Sequence, residues 1–290
     1  MAAASSRLFG RVTRRVRSDS PSWTLAAYGL AGLYALLLLV PIYFVVIAAF
    51  KTNTEIFTAP LAPPTHWTLD NLLKAIESAN LVRAIGISMI ITASAELLTL
   101  VLAFPAAYAI ARIRTRLAPW AEALFSLGFL IPALAILMPV FLTAVRLNLL
   151  YNPLMLIIFY PATKLSLAIL LLSSQMRDIP RELEESAEID GAALIDIIVR
   201  ICLPLARPAL LTVILLNFID IWNEYLFALV LLNSRNRTIQ VAVATLKGER
   251  VSNYGLVAAG VLISMLPVFL VFIFSQERIM SGLYTGAVKE

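Results

Sequence analysis

Ionisable residues are conspicuous in this 290-residue chain because so few interrupt it: 14% of residues are charged and 60% are apolar. Soluble domains carry about 25% charged residues. Seven of the eighteen acids crowd into one stretch, Asp178 to Pro204: Asp178, Glu182, Glu184, Glu185, Glu188, Asp190 and Asp196. Four further charges, Glu96, Lys164, Asp220 and Glu224, lie inside apolar runs. A charge at membrane depth costs at least about 2.5–3.5 kcal/mol on insertion scales, so it faces a bundle interior or a wet cavity. The chemistry open to such groups is ion pairing, proton relay or polar contact with a solute. Covalent catalysis is not indicated, since no nucleophile–base constellation is present and no catalytic residue is expected. His66 stands alone in a Pro-rich loop, so no metal site is expected. Cys202 is the only cysteine, which excludes an internal disulfide. No G-x-x-x-x-G-K-[ST] phosphate loop occurs, so no cofactor is expected on this chain.

The elements that must position these groups are membrane spans. At about 20 apolar residues per span, the chain divides into six: Leu25–Phe50, Ala84–Ile110, Trp120–Ala144, Asn152–Ser173, Pro208–Leu232 and Tyr254–Phe274. The expected fold class is therefore all-α integral membrane. Residues 1–24 read as a basic cytoplasmic tail, 25–50 as the first transmembrane helix and 51–80 as an extracytoplasmic loop. Residues 81–275 form the transmembrane core, and 276–290 a cytoplasmic tail. The loop contains the Pro-rich run APLAPPTHW and a short amphipathic helix, LDNLLKAIES, capped near Thr68. Fourteen Lys and Arg fall on the side shared by both termini and eight on the other, which places the termini in the cytoplasm. The net charge of +5 then reflects orientation and lipid headgroups rather than nucleic acid.

Between spans 4 and 5 the polar stretch predicts a helix–turn–helix hairpin. Pro180 suits a helix start, and Glu182 and Glu184 favour the positive end of the dipole. Gly191 suits a left-handed stop. The second helix presents Leu194, Ile195, Ile198, Val199 and Cys202 as its apolar residues, and Pro204 ends it.

The spacing here resembles permease subunits of binding-protein-dependent ABC importers. Their signature is Glu-Ala-Ala, three residues, Gly, nine residues, then Ile-x-Leu-Pro. This chain has Glu185-Ser186-Ala187, three residues, Gly191, nine residues, then Ile201-Cys202-Leu203-Pro204. Ser186 replaces the first Ala, small for small. LEESAEIDGAA, WNEYLFAL and the terminal GLYTGAVKE are similar to the carbohydrate, maltose-permease-like branch. The resemblance implies a cytoplasmic coupling helix. Glu184, Glu185, Ser186, Ala187, Asp190, Gly191, Ile201, Leu203 and Pro204 would form the ATPase-coupling segment, with Glu185 pairing with a basic residue of the ATPase. It further implies a second permease subunit, two ATPase subunits that hold the ATP and Mg, and an extracytoplasmic sugar-binding protein. The setting would be a bacterial inner membrane. The Tyr284–Lys289 tail would reach the ATPase dimer interface.

For the pathway itself, Glu96, Lys164, Asp220, Asn223, Glu224, Trp222 and Tyr225 are the candidate substrate-facing residues. Glu224 is expected one helical turn beyond Asp220 on the same face. Lys164 is expected to pair with Asp220 or Glu96, either as a structural ion pair or as pathway lining. The aromatics either stack on sugar rings or pack between helices. Residues 233–253 carry four cations against Glu249, which points to an anionic glycan or an anionic binding-protein rim. The rival reading is an ion-coupled secondary transporter that uses Glu96, Lys164 and Asp220 as a relay.

Overall fold

In the computed structural model, residues 21–113, 117–248 and 253–287 are described, with side chains described for residues 24–275 of these. Arg7, Arg11, Arg14, Arg15, Arg17, Arg114, Arg116, Glu249 and Arg250 therefore lie outside the described residues, as do residues 288–290. The chain divides into two units, 1–44 and 45–290. The first unit is described from Pro21 and is a single apolar helix with exposed Leu25, Leu30, Leu33 and Leu37. That helix, α1, runs Pro21–Ala48 with Pro41 inside it.

The second unit continues with α2 (Asn53–Thr58), α3 (Asp70–Ser78), α4 (Leu81–Arg112), α5 (Ala118–Leu127), α6 (Ala133–Arg146) and α7 (Pro153–Asp178). After these come α8 (Glu182–Ile189), α9 (Leu194–Asp196), a π-helical turn (Ile197–Cys202) and α10 (Leu203–Leu205). The chain closes with α11 (Arg207–Trp222), α12 (Leu226–Leu231), α13 (Ile239–Ala244) and α14 (Tyr254–Ala287). Among the described residues, four helices are long and apolar enough to cross a membrane, or up to six if each of two bent pairs counts as one span. The all-helical expectation with a polar hairpin between the fourth and fifth spans is met.

The two bent pairs depart from straight spans. Span 3 is broken: α5 with its 3-10 extension meets α6 at 97°. Pro132 explains the break, because the residue before a proline is pushed out of the helical region, and Ile131 is extended at φ −82°, ψ 112°. Span 5 ends at Trp222 rather than Leu232, and its entry from the α9–α10 segment bends by 75°. The bend falls at Ala206, so Pro204 does not end the preceding helix but opens α10.

α4 and α7 form the central pair. Small residues along α4 (Ala95, Ala103 and Ala107) are fully buried, which lets backbones approach closely. Two apolar clusters result. One joins Phe104 and Tyr108 of α4 and Leu172 and Met176 of α7 to Ile197, Cys202 and Val213. The other joins Ile91, Met155, Leu156 and Tyr160 to Ile221, Phe227 and Leu231. Before α4, Lys51 is buried and donates to the carbonyls of Ala59 (2.8 Å) and Pro60 (3.3 Å). Asn71 of α3 donates to the carbonyls of Ala49 and Lys51. α14 starts directly against this knot: a Cβ on Gly255 would meet the Asn71 side chain and the Lys51 carbonyl.

Candidate functional site

The polar hairpin is built as local chemistry dictates. α8 ends in Gly191, at φ +82°. The Ala192 N–H donates to the Ala187 carbonyl (2.9 Å) and the Gly191 N–H to that of Glu188 (3.0 Å), the paired bonds of a Schellman stop. The second half departs from the expected α-helix. Through Ile197–Cys202 the repeat is π-helical, which places residues five apart on one face. Ile197 and Cys202 are accordingly both buried, while Leu194, Ile195 and Val199 are exposed. Of the signature's last residues, Ile201 and Pro204 are half-buried and Leu203 is exposed.

The acids of α8 divide into two roles. Glu184 is 7% exposed and faces inward. Its carboxylate accepts from Tyr108 Oη (2.9 Å) and Arg112 Nε (2.7 Å), and Arg112 Nη2 makes an ion pair with it at 2.6 Å. Taking a carboxylate out of water costs several kcal/mol, and the guanidinium charge at Oε1 with the Tyr108 hydroxyl at Oε2 offsets it. Arg112 Nη2 also donates to the Ile179 carbonyl (2.9 Å), just beyond the end of α7. Arg181 donates weakly to the carbonyls of Ala111 (3.5 Å) and Arg112 (3.4 Å) at the end of α4. Glu184 is thus an internal anchor, whereas the resemblance grouped it with residues meeting a partner. Glu185, Ser186, Glu188 and Asp190 are exposed, alongside apolar Leu183 and Ile189, while Ala187 is half-buried. A bidentate pair between Arg177 and Glu122 (3.1 and 2.6 Å) ties α7 to α5 nearby.

The second region is an open cavity of about 790 Å³ lined by the turn after α5, α6, α7, α11 and the start of α12. Lys164 and Asp220 line it and form an ion pair at 3.1 Å, the first of the two expected pairings. Asp220 keeps 59% of its side chain exposed and Lys164 20%. Glu224 also lines the cavity but is not stacked on Asp220, because α11 has already ended. Its carboxylate instead accepts from the N–H groups of Phe227 (2.8 Å) and Ala228 (3.1 Å), capping α12, and from Tyr160 Oη (2.7 Å).

The remaining candidates lie elsewhere. Trp222 is 1% exposed, stacks on Phe218 and donates to the Ser264 carbonyl of α14 at 3.0 Å. It therefore packs between helices. Asn223 and Tyr225 are exposed outside the cavity lining, and Asn223 Oδ1 accepts from Gln240. Glu96 borders a separate groove and is contacted by Asn217.

Three residues that hold these polar contacts went unrecognised in the sequence. Tyr160 stands four residues before Lys164 on α7, a same-face spacing that could have flagged it. Arg112 stands four after Tyr108 on α4 in the same way. Asn217 carried no signal beyond being polar in an apolar run.

Known proteins supply the remaining context. The family described as "Binding-protein-dependent transport system inner membrane component" matches residues 99–279. The melibiose/raffinose/stachyose import permease protein MelC of Bacillus subtilis (strain 168) is 32% identical over 262 residues, 90% of this chain and 95% of that protein. The sulfoquinovosyl glycerol transport system permease protein SmoH of Agrobacterium fabrum (strain C58) is 30% identical over 253 residues, 87% of this chain and 89% of its own length. A crystal structure of a bacterial ABC transporter for import of the acidic polysaccharide alginate shares the fold, with a TM-score of 0.78 at 23% identity over 89% of this chain and 98% of that one. The match across residues 99–279 covers the whole hairpin and cavity, and the chain belongs to the binding-protein-dependent transport system inner membrane component family.

Proposed function

We propose that this chain is the permease subunit of an ATP-driven carbohydrate importer, forming half of a translocation pathway and receiving force through α8. The observation that carries this reading is the division of labour on α8. Glu184 fixes the helix to the ends of α4 and α7, while Glu185, Glu188 and Asp190 remain outside for a basic partner. A push on the exposed face then moves α4 and α7 with it. α7 carries Tyr160 and Lys164 into the cavity, so displacement at one end re-aims the groups at the other.

In this reading the partner is an ATPase pair holding ATP and Mg, joined by a second permease subunit and an extracytoplasmic binding protein. Both termini and the hairpin lie on the cytoplasmic side of a bacterial inner membrane. The relatives support a sugar or oligosaccharide, since MelC and SmoH are named for such transport. Within the cavity the geometry favours a neutral carbohydrate over an anionic one. Lys164 is committed to Asp220, and two carboxylates outnumber the one ammonium. Asp220 offers an acceptor to sugar hydroxyls, beside the apolar rings of Phe129, Phe159 and Phe227.

Uptake into proteoliposomes containing the full complex tests the reading. Transport should require ATP and the binding protein and should be unaffected by a protonophore. Uptake that survives ATP depletion and collapses with the proton gradient would establish the ion-coupled reading in its place. With the same preparation, Lys164→Gln should leave the ratio of neutral to acidic sugar transport unchanged. A selective loss of acidic sugars would restore the anionic substrate.

A further inference from the structure

Glu96 of α4 and Asn217 of α11 meet in the seam between the two helices, at 7% and 0% exposure. Asn217 Nδ2 donates to Glu96 Oε1 at 3.5 Å. Two oxygens at this contact have no partner: Glu96 Oε2 and Asn217 Oδ1, both buried. An unmade hydrogen bond on a buried polar atom costs about 1–3 kcal/mol, and more for a charged group. Both orphans are acceptors, so they cannot satisfy each other while Glu96 is a carboxylate. Among the described residues, the charged group that acts on Glu96 from α7 is Lys164, and its ammonium is bound to Asp220 of α11 at 3.1 Å. The groove beside Glu96, lined by Met89, Thr92, Ala93, Leu97, Ile214 and Phe218, is otherwise nearly all apolar.

We propose that Glu96 holds a proton at neutral pH and closes a two-bond ring with Asn217. Glu96 Oε2–H donates to Asn217 Oδ1, and Asn217 Nδ2 donates to Glu96 Oε1. One proton satisfies both orphan oxygens and removes the buried charge in the same step. The α4–α11 seam is then a proton-binding site, neutral across the span, that holds the middle of α4 against the helix carrying Asp220. The site stands apart from the cavity and does not depend on which solute is carried.

Infrared spectroscopy of the full-length chain, purified with its companion subunits in lipid nanodiscs, reads the proton directly. At neutral pH the wild type should show the carbonyl band of a protonated carboxylic acid, shifted by deuterium exchange and missing in Glu96→Gln. Gln reproduces the ring, with its amide donating where the acid did, so the variant should keep the wild-type thermal midpoint. Identical spectra for wild type and Glu96→Gln would overturn the proposal. If Glu96→Gln fails to assemble, Asn217→Ala gives the assignment: the acid band should move to higher frequency as its acceptor is lost, and an unmoved band would overturn the proposal. A thermal midpoint that rises with sodium in the wild type but not in Glu96→Gln would show that the two oxygens hold a cation, and would overturn it as well.

Discussion

At the scale of single residues, the largest consequence rests on Arg112. It is the cation that makes a buried Glu184 tolerable, and removing one partner of such a pair leaves an uncompensated charge. Arg112→Met should destabilise the chain by about 3–5 kcal/mol, read as a lowered thermal midpoint in nanodiscs. Arg112→Lys should rescue only part of this, because a compact ammonium lacks the guanidinium fork that serves Glu184 through Nε and the Ile179 carbonyl through Nη2 at once. Equal midpoints for Arg112→Met and wild type would mean that the anchor contributes little. Glu55 makes a second prediction, in the loop before α4. Hydrogen bonds from the Thr65 hydroxyl and from the backbone of Thr52 and Thr65 hold its carboxyl down at about 2, against an ordinary 4.5. A carboxylate so depressed adds stability above its unfolded value, and that stability is lost as pH falls through the folded one. Resistance of residues 52–65 to proteolysis should therefore decline between about pH 4.5 and 2. Glu55→Gln should flatten that decline, and a variant that keeps the full pH dependence would assign it to another group.

At the scale of elements, the first helix of the hairpin was legible because its signals are local. Three early acids and a glycine bound eight residues, and each acts within one helical turn. Pro180, expected at the first helical position, instead lies two residues before α8, with Arg181 as the N-cap. Gly191→Ala should weaken this stop by about 1–2 kcal/mol, since a Cβ is strained in the left-handed region. The Cβ would meet nothing else within 4 Å, so Gly191→Asn should be milder. ATP-driven uptake should fall in the order wild type, Asn, Ala; no difference between Asn and Ala would remove the backbone explanation. What sequence could not supply was set by distant partners. The π-helical turn keeps Ile197 and Cys202 together in a core made by α4 and α7, and a 3.6-residue reading instead turns Leu194 and Val199 inward. The break at Pro132 was visible as a residue, but hydropathy windows average across it. Glu224 looked like a helix-face acid because nothing local announces that α11 stops at Trp222 and that this carboxylate caps α12. Charge pairing was half legible: Lys164 needed an acid at its depth, and only the packing of α7 on α11 chose Asp220.

At the scale of the whole permease, the second unit joins two polar centres through one closely packed pair of helices. The hairpin is clamped to the ends of α4 and α7, and the cavity opens along α7. For transport to be powered, α8 must transmit force from outside through its exposed acids. The direct measurement is binding-protein-stimulated ATP hydrolysis by the purified complex in nanodiscs, comparing wild type with Glu185→Arg. Glu185 makes no contact that holds the fold, since Glu184 carries the anchor, so the variant should keep the wild-type thermal midpoint. Stimulated hydrolysis should fall by about tenfold or more, the loss expected when a charge meets its own sign across an interface. Full stimulation by Glu185→Arg, in a complex that stays assembled, would contradict the assignment of α8 as the element through which transport is powered.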